Sequence, residues 1–265
     1  MPFYAHLQPL RARSHQKTRP HTRTLAGHTP HTALPSLGRK RIRPRAITGT
    51  PEHLPIRHNP TMKTILTPPP LPTPIPADIH THRHDINDGS AVVNIALEAV
   101  PPIPPTLFSA GIHPWEADKA TDITWTWLED VLSNPNAYAI GEAGLDLRHG
   151  PNIDVQLPVF RRQAFMADDL AKPLIVHIVG AYDNLYDVQR EVMRRNGGRT
   201  PLWIIHGFRG RPELARQLLD HGMYISMGIR HNPTAIAVIP RDRLLAETDD
   251  DPTANIADVR NALGL

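Results

Sequence analysis

The sequence predicts an α/β protein, a TIM-like (β/α)8 barrel that is compact and distorted, with some crossover helices missing. Eight short apolar segments recur after Ala77, and helical patterns lie between several of them. Apolar strands that alternate with helices are typical of a parallel sheet covered by helices, and eight such strands fit a barrel of about 250 residues. Because only residues 77–265 are available, some crossovers must lack a helix.

The strands are predicted from short apolar runs that turn or loop residues interrupt. In chain order they are ADIHTH (77–82), AVVNIAL (91–97), LFSAGIHP (107–114), YAIGEAGLD (138–146), PLIVHIV (173–179), PLWIIHG (201–207), MYISMG (223–228) and LLAETD (244–249). The missing crossover helix is clearest between the second and third strands, in the proline-rich segment EAVPPIPPT (98–106).

Four helices are predicted, over 122–133, 154–171, 182–195 and 212–221. The second has apolar residues at spacings of three and four, which predicts one buried stripe. The members of this stripe are Leu157, Phe160, Ala164, Ala167 and Ala171. The fourth helix has Pro212 in its first turn and Gly222 just past its end, which are usual start and stop signals.

Residues 1–61 differ in composition from the rest of the chain. They hold eleven Lys and Arg against a single acid, Glu52, and show no sustained periodicity. We expect a disordered basic leader, which is either a nucleic-acid-binding or targeting arm or sequence upstream of a natural start at Met62. Residues 62–76 then form a proline-rich extended lead-in to the barrel at 77–265.

Composition excludes several classes of site. The chain has no cysteine, so a metal site would have to use His, Asp and Glu. No apolar run approaches the length of a membrane helix, and no secretory pattern begins the chain. We expect a cytoplasmic protein without membrane contact, and the oligomeric state stays open.

Imidazole and carboxylate groups lie at or near the ends of six predicted strands. They are His80 and His82, His113, Glu142, His177, His206 and Asp249. A barrel gathers the C-terminal ends of its strands at one mouth, where active sites form. These side chains suit Zn²⁺, Mn²⁺ or Mg²⁺. We therefore expect one or two divalent ions, which can activate water for hydrolysis.

Each of these residues also has an ordinary structural interpretation. A lone His177 or His206 in an apolar strand is more typical of a hydrogen-bonded core histidine. Asp249 begins an acidic run of the kind that usually lies on the solvated surface. Glu142 is harder to explain in this way, because a carboxylate in an apolar strand requires a cation. Asp78 is expected to orient a ligand imidazole, and His84 to lie on the rim.

Seven motifs occur in one order over residues 77–249. They are DIHTHRHD, SAGIHPW, GEAGLD, KPLIVHIV, WIIHGFRG, YISMG and ETD. Their order and spacing resemble the TatD family of metal-dependent hydrolases. That resemblance implies an amidohydrolase-like barrel and metal-dependent deoxyribonuclease activity.

The resemblance also implies roles for individual residues. His80 and His82 match first-strand metal ligands, and Glu142 matches a glutamate that bridges two ions. His177 and His206 resemble ligands of the second ion, and Asp249 resembles the last-strand ligand and general base. His113 matches a substrate-contacting position. Arg209 could meet a phosphate oxygen, although a plain surface arginine fits equally well.

The sequence departs from this family in one respect. The chain ends at TANIADVRNALGL, where the family usually has a longer segment with a helix that closes the barrel. Without that helix we expect apolar strand surface to be exposed.

Three functional hypotheses follow. The first is a TatD-type hydrolase that cleaves phosphodiester bonds, of DNA above all, in an exonuclease-like reaction. The second is a small-molecule amidohydrolase or phosphoesterase at the same metal centre. The third is a non-enzymatic nucleic-acid-binding protein that acts through its basic leader, whose binding would depend steeply on salt.

Overall fold

The computed structural model describes residues 65–95, 97 and 106–265, all within one compact unit, Asn59–Leu265. Strands β1 to β8 are, in chain order, Asp78–Thr81, Ala91–Asn94, Phe108–Ala110, Ala137–Asp146, Leu174–Val179, Trp203–Ile205, Tyr224–Met227 and Leu244–Ala246. Every neighbouring pair is parallel, and the order of strands in the sheet is their order in the chain. The predicted eight-stranded parallel barrel is therefore confirmed.

The barrel closes where β1 meets the segment that follows β8. Thr81 and Asp249 form a parallel bridge. Thr248 adds two hydrogen bonds to the Asp78 carboxylate, from its amide at 3.0 Å and from its hydroxyl at 2.6 Å. The prediction that Asp78 orients an imidazole is wrong, since its recorded partners are Thr248 and the His80 backbone amide. Asp78 instead ties the first strand to the last.

Six helices cover the sheet in the described part of the chain. Helices α1 to α6 are Asp122–Leu132, Ile153–Asp169, Tyr182–Arg195, Pro212–Asp220, Pro233–Ile236 and Ile256–Leu263, and 3-10 helices span Pro114–Lys119 and Arg241–Arg243. The four predicted helices are confirmed. The loop 82–90 between β1 and β2 contains no helix, and only the four-residue α5 and the 3-10 helix Arg241–Arg243 lie between β7 and β8. The predicted gap at 98–106 lies outside the described residues except for Thr106.

Helix α2 buries most of the predicted stripe and adds two glutamines to it. Phe160, Ala164 and Ala167 are buried as expected, but Leu157 is only half-buried and Ala171 is exposed beyond the helix end. Gln156 and Gln163 take their place in the core. They can be buried because they bind backbone groups of other elements, which satisfies their amides.

These two glutamines fix the strand ends that carry functional residues. Gln163 accepts from the Ile112 amide at 2.7 Å and donates to the Ile112 carbonyl at 3.0 Å. Gln156 accepts from the Asp146 amide at 2.7 Å and donates to its carbonyl at 2.8 Å. Helix α2 therefore anchors the residues just after β3 and at the end of β4.

The proline-rich lead-in is described from residue 65 and packs against the barrel. Leu71 is buried with strand residues such as Ile79 and Tyr138. The hydroxyls of Tyr138 and Tyr224 donate to the carbonyls of Pro72 and Pro69, at 3.2 Å and 3.1 Å. Residues 65–72 are thus part of the folded unit. The predicted leader, 1–61, lies outside the described residues.

Helix α6 covers the region where exposed strand surface was expected. Asn255 caps its start by accepting from the Ala257 amide, and Gly264 ends it in the left-handed conformation. Val259 and Leu263 are buried in the same cluster as Leu244 and Ala246 of β8. The short segment after β8 therefore suffices to cover the last strand. No helix of the described residues is long and apolar enough to cross a membrane.

Candidate metal centre

The site lies at the mouth of the barrel and is centred on Glu142. This carboxylate is 7 % exposed and lies in the middle of β4. Two glycines allow β4 to approach β5 at this point. A Cβ on Gly141 would lie 2.6 Å from the Ile175 carbonyl oxygen, and one on Gly144 would lie 1.8 Å from that of His177. The glycines of GEAGLD thus bring Glu142 beside the β5 histidine.

Five imidazoles surround the Glu142 carboxylate. The Nε2 atoms of His80 and His82 both lie 3.3 Å from Oε2. Three further nitrogens lie near Oε1: His206 Nε2 at 2.7 Å, His177 Nδ1 at 3.1 Å and His113 Nε2 at 3.4 Å. One carboxylate that meets five histidines from four strand ends is more than a core hydrogen bond requires and is typical of a cluster that could hold a metal ion.

Asp249 completes the group from the other side of the barrel. Its Oδ1 lies 3.6 Å from His80 Nε2 and 3.9 Å from His82 Nε2. The structure therefore brings together all six residues that were predicted as metal ligands. Among the described residues, four sets of three donors have ligand atoms within 4.8 Å of one another. The set of His113, Glu142 and His177 shares no member with the set of His80, His82 and Asp249.

The donor atoms fit a divalent ion. Both ring nitrogens of His80 and the Nδ1 of His206 are buried without a hydrogen-bond partner. A buried polar atom without a partner is costly, and coordination of an ion removes that cost. The donors are imidazole nitrogens and carboxylate oxygens, which suit Zn²⁺, Mn²⁺ or Mg²⁺. His80, His82, Glu142, His177, His206 and Asp249 are the residues that could hold one or two such ions.

Hydrogen bonds distinguish His177 from His113. The Nε2 of His177 lies 3.2 Å from the Asp146 carboxylate. An ionised carboxylate can only accept hydrogen bonds. When the proton of a neutral His177 lies on Nε2 and is donated to Asp146, Nδ1 has a lone pair toward Glu142 that suits a metal. In His113 the Nδ1 accepts from the Trp115 amide at 3.2 Å, so the proton of the neutral ring is on Nε2. His113 then presents an N–H to the site, which suits substrate contact.

The charge state of the site follows from burial and from the close groups. Burial alone would raise the pKa of Glu142, but His206 and the other imidazoles hold it well below its ordinary value. Burial opposes protonation of His206, yet Glu142 raises its pKa to about 10. Burial lowers the pKa of His80. The site therefore combines an ionised carboxylate with a neutral imidazole, while His206 holds a proton that an ion would displace.

Sequence reasoning missed Glu247, which is fully buried behind His206. Its Oε1 accepts from the Gly207 amide and lies 4.0 Å from His206 Nδ1. Burial raises its pKa to about 7. The signal that identified Glu142, an acid in an apolar strand, applies equally to Glu247 in LLAETD.

Asp146 ends the motif GEAGLD and Trp115 ends SAGIHPW, but the sequence predicted no role for either residue. Asp146 accepts from Trp115 Nε1 at 2.8 Å and from the amides of Arg148 and His149. Burial acts to raise its pKa, but these donors and His177 lower it to about 2. Asp146 is therefore an ionised carboxylate that fixes both a ligand imidazole and an exposed indole.

Two hollows meet at the ligands. A pocket of about 530 Å³ is lined by His82, His84, His113 and Trp115, and His84 is an exposed member of this lining. A neighbouring groove of about 470 Å³ contains Arg148, Tyr182 and Arg209. Both hollows reach His177, His206 and Asp249. Arg209 therefore lies near the ligands.

The fold and the site define a class: a parallel (β/α)8 barrel with a His, Glu and Asp constellation at its mouth. Residues 78–261 match the family model described as TatD related DNase, and the chain belongs to that family.

Curated relatives align with about half of the chain. A Bacillus subtilis protein named an uncharacterized metal-dependent hydrolase, YabD, is 31 % identical over 147 residues, 52 % of this chain and 56 % of its own length. A Cronobacter turicensis protein named 3'-5' ssDNA/RNA exonuclease TatD is 30 % identical over 151 residues, 53 % of this chain and 56 % of its own length. The chain thus spans about half the length of the curated relatives it matches.

Solved structures support the fold. The Escherichia coli TatD homologue YjjV matches with a TM-score of 0.54 at 21 % identity, over 76 % of this chain and 90 % of that one. A TatD family hydrolase from Entamoeba histolytica matches with a TM-score of 0.51 at 18 % identity, over 72 % and 76 %.

Proposed function

We propose that this chain is a metal-dependent hydrolase that cleaves phosphodiester bonds in nucleic acid, with DNA as the leading substrate. The observation that carries the proposal is the Glu142 carboxylate, which lies within 3.4 Å of a nitrogen on each of five imidazoles. The names of relatives support it, since they include metal-dependent hydrolases and a 3'-5' ssDNA/RNA exonuclease.

His80, His82, Glu142, His177, His206 and Asp249 would hold one or two divalent ions. When bound, a divalent ion supplies Lewis acidity, which polarises a phosphoryl oxygen and makes a water molecule more acidic. Asp249 would act as the general base that takes the proton of the attacking water. Its side chain is 22 % exposed and lines both hollows, so water and substrate can reach it.

His113 and Arg209 would contact the substrate. His113 lines the pocket with its Nε2 3.4 Å from Glu142 Oε1, and the Nε2–H could donate to an oxygen of a reacting group bound there. Arg209 and Arg148 line the neighbouring groove, and neither has an acidic partner among the described ion pairs. A guanidinium that is free of carboxylates and close to metal ligands suits a phosphate oxygen.

The test is substrate profiling on the full chain after loading with Zn²⁺, Mn²⁺ or Mg²⁺. We expect nucleotide release from single-stranded DNA and little turnover of a panel of amides and lactones. Glu142→Gln should abolish the release, whereas Glu191→Gln, a matched change in an ion pair with Arg161 on the outer helices, should not. Turnover of amides or lactones without DNA cleavage would favour a small-molecule hydrolase and overturn the proposal.

A further inference from the structure

Trp115 exposes an unusual amount of apolar surface beside the metal ligands. It lies in the 3-10 helix Pro114–Lys119, which follows His113, and it is 49 % exposed. It lines the same pocket as Glu142 and Asp249. An exposed indole is costly to leave in water, and here it stands where a substrate must enter.

The indole is held in one orientation. Its Nε1 donates to Asp146 Oδ2 at 2.8 Å, and the Asp146 amide is itself fixed by Gln156 at 2.7 Å. The Trp115 backbone amide donates to His113 Nδ1 at 3.2 Å. A Cβ on Gly150 would lie 2.7 Å from the Trp115 Cα, so this loop packs closely against the backbone. A side chain fixed in this way loses little entropy when it binds a partner.

The rings around Trp115 meet it at an angle. His113 is 4.8 Å away at 87°, His149 is 5.3 Å away at 52°, and His177 is 5.9 Å away at 75°. Within the described part of the chain, no recorded ring contact of Trp115 is parallel. The surrounding rings thus hold the indole without stacking on it, and about half of its surface stays available to a flat group.

Charge separates the two hollows on either side of the ligands. The described lining of the pocket around Trp115 contains no Lys or Arg. It includes the apolar Ile95 and Leu97, and the acidic Glu116 and Asp250 in addition to the candidate ligands. The neighbouring groove contains Arg148 and Arg209. A nucleotide has a neutral, flat base and an anionic phosphate, and these two parts match the pocket and the groove respectively.

We propose that Trp115 is a stacking platform for the nucleobase that adjoins the scissile phosphodiester. The inference rests on the proposed function and assigns its specificity. A base that is paired within a duplex cannot lie on the indole without leaving its stack, whereas a base in a single strand can. The platform therefore selects single-stranded or frayed ends, through the base and without regard to its identity.

The test compares two kinds of oligonucleotide on the metal-loaded full chain. One is ordinary single-stranded DNA, and the other has a tetrahydrofuran abasic residue at the 3' end, the 5' end or both. Loss of one stacked base costs about 5- to 150-fold in binding. We expect the wild-type chain to have a kcat/KM at least about tenfold higher on the ordinary strand than on the strand that is abasic at its attacked end.

Variants separate stacking from structure. Trp115→Ala should lose this preference, because its kcat/KM should fall by a larger factor on the ordinary strand than on the abasic strand. Trp115→Phe keeps a stacking face but cannot donate to Asp146, and it should retain most of the preference for the ordinary strand. Ile123→Ala removes another exposed apolar side chain, outside the site, and should change neither rate.

Three results would overturn the inference. If Trp115→Ala lowers both rates equally, the residue acts only by holding Asp146 and His177, and the stacking platform is wrong while the proposed function stands. If the wild-type chain cleaves both strands equally well, the platform is likewise wrong. If the wild-type chain cleaves no strand with any metal, the proposed function itself is overturned, and the platform with it.

Discussion

The backbone amide of Asp249 donates a hydrogen bond to the carbonyl oxygen of His80, at 3.0 Å. The Asp249 carbonyl in turn accepts from the His82 amide, also at 3.0 Å. These bonds close the barrel between its first and last strands. The same bonds hold the Asp249 carboxylate next to the two first-strand imidazoles, so barrel closure and site assembly are one structural event.

Asp249→Asn is expected to separate these two roles. The backbone bonds persist in the variant, and asparagine tolerates the positive φ of 55° at this position. We expect a melting temperature close to wild type and a loss of about 10²- to 10⁴-fold in turnover of single-stranded DNA, as for removal of a general base. Asp258→Asn on α6 is the control. Unchanged turnover in Asp249→Asn would show that Asp249 is not the general base.

His177→Ala and His113→Ala should differ in metal content. With its proton on Nε2, toward Asp146, His177 has a lone pair toward Glu142, while His113 presents a proton there. We expect His177→Ala to lose bound metal and His113→Ala to keep it but turn over DNA more slowly. Metal per chain and nucleotide release, measured on the same preparations, distinguish the two outcomes. Equal loss of metal in both variants would make His113 a ligand.

Removal of metal should lower the melting temperature. Ions bind donors that only the folded state brings together, and a ligand at a hundredfold its Kd stabilises by about 2.7 kcal/mol. For a domain of this size that corresponds to roughly 5 to 10 °C. Differential scanning fluorimetry before and after chelation measures the shift. Glu142→Gln should show a much smaller shift, and a full shift in that variant would place the ions elsewhere.

Gly144→Ala should destabilise the fold through a backbone clash. The added Cβ would lie 1.8 Å from the His177 carbonyl oxygen, which cannot move without breaking the sheet. We expect the free energy of unfolding to fall by about 3 kcal/mol or more. Gly197→Ala is the control, because Gly197 also has a positive φ, of 78°, but has nothing within 4 Å of the added atom. Gly197→Ala should lower the free energy of unfolding by about 1 kcal/mol. An equal decrease in both variants would rule out the clash at Gly144.

The local pattern of the chain predicted much of this fold. Short apolar runs located the eight strands, and Glu142 stood out because an acid in an apolar strand needs a partner. The burial of Gln163 on α2 was not predicted, because this side chain binds Ile112, a residue 51 positions away, and apolar periodicity carries no information about such a bond. The partners of Asp78 and Asp146 were not predicted, for the same reason. Thr248 comes next to Asp78, and Trp115 next to Asp146, only when the barrel closes and its strands pair.

Glu247 and Trp115 illustrate two further limits. Glu247 carried the same signal as Glu142, but the adjacent acidic run of LLAETD resembled a solvated surface. The exposure of Trp115 could not be predicted from sequence, because an indole after an apolar strand is typical of a core residue. Only the tertiary structure identifies it as open to the pocket.

Elemental analysis of the folded full chain tests the central claim most directly. After loading with Zn²⁺ or Mn²⁺ and removal of free ions, we expect one or two equivalents of metal per chain in the wild type. The double variant His80→Ala/His82→Ala should retain fewer equivalents while its circular dichroism stays that of a folded protein. A wild-type chain that is folded but binds no stoichiometric metal would contradict the account.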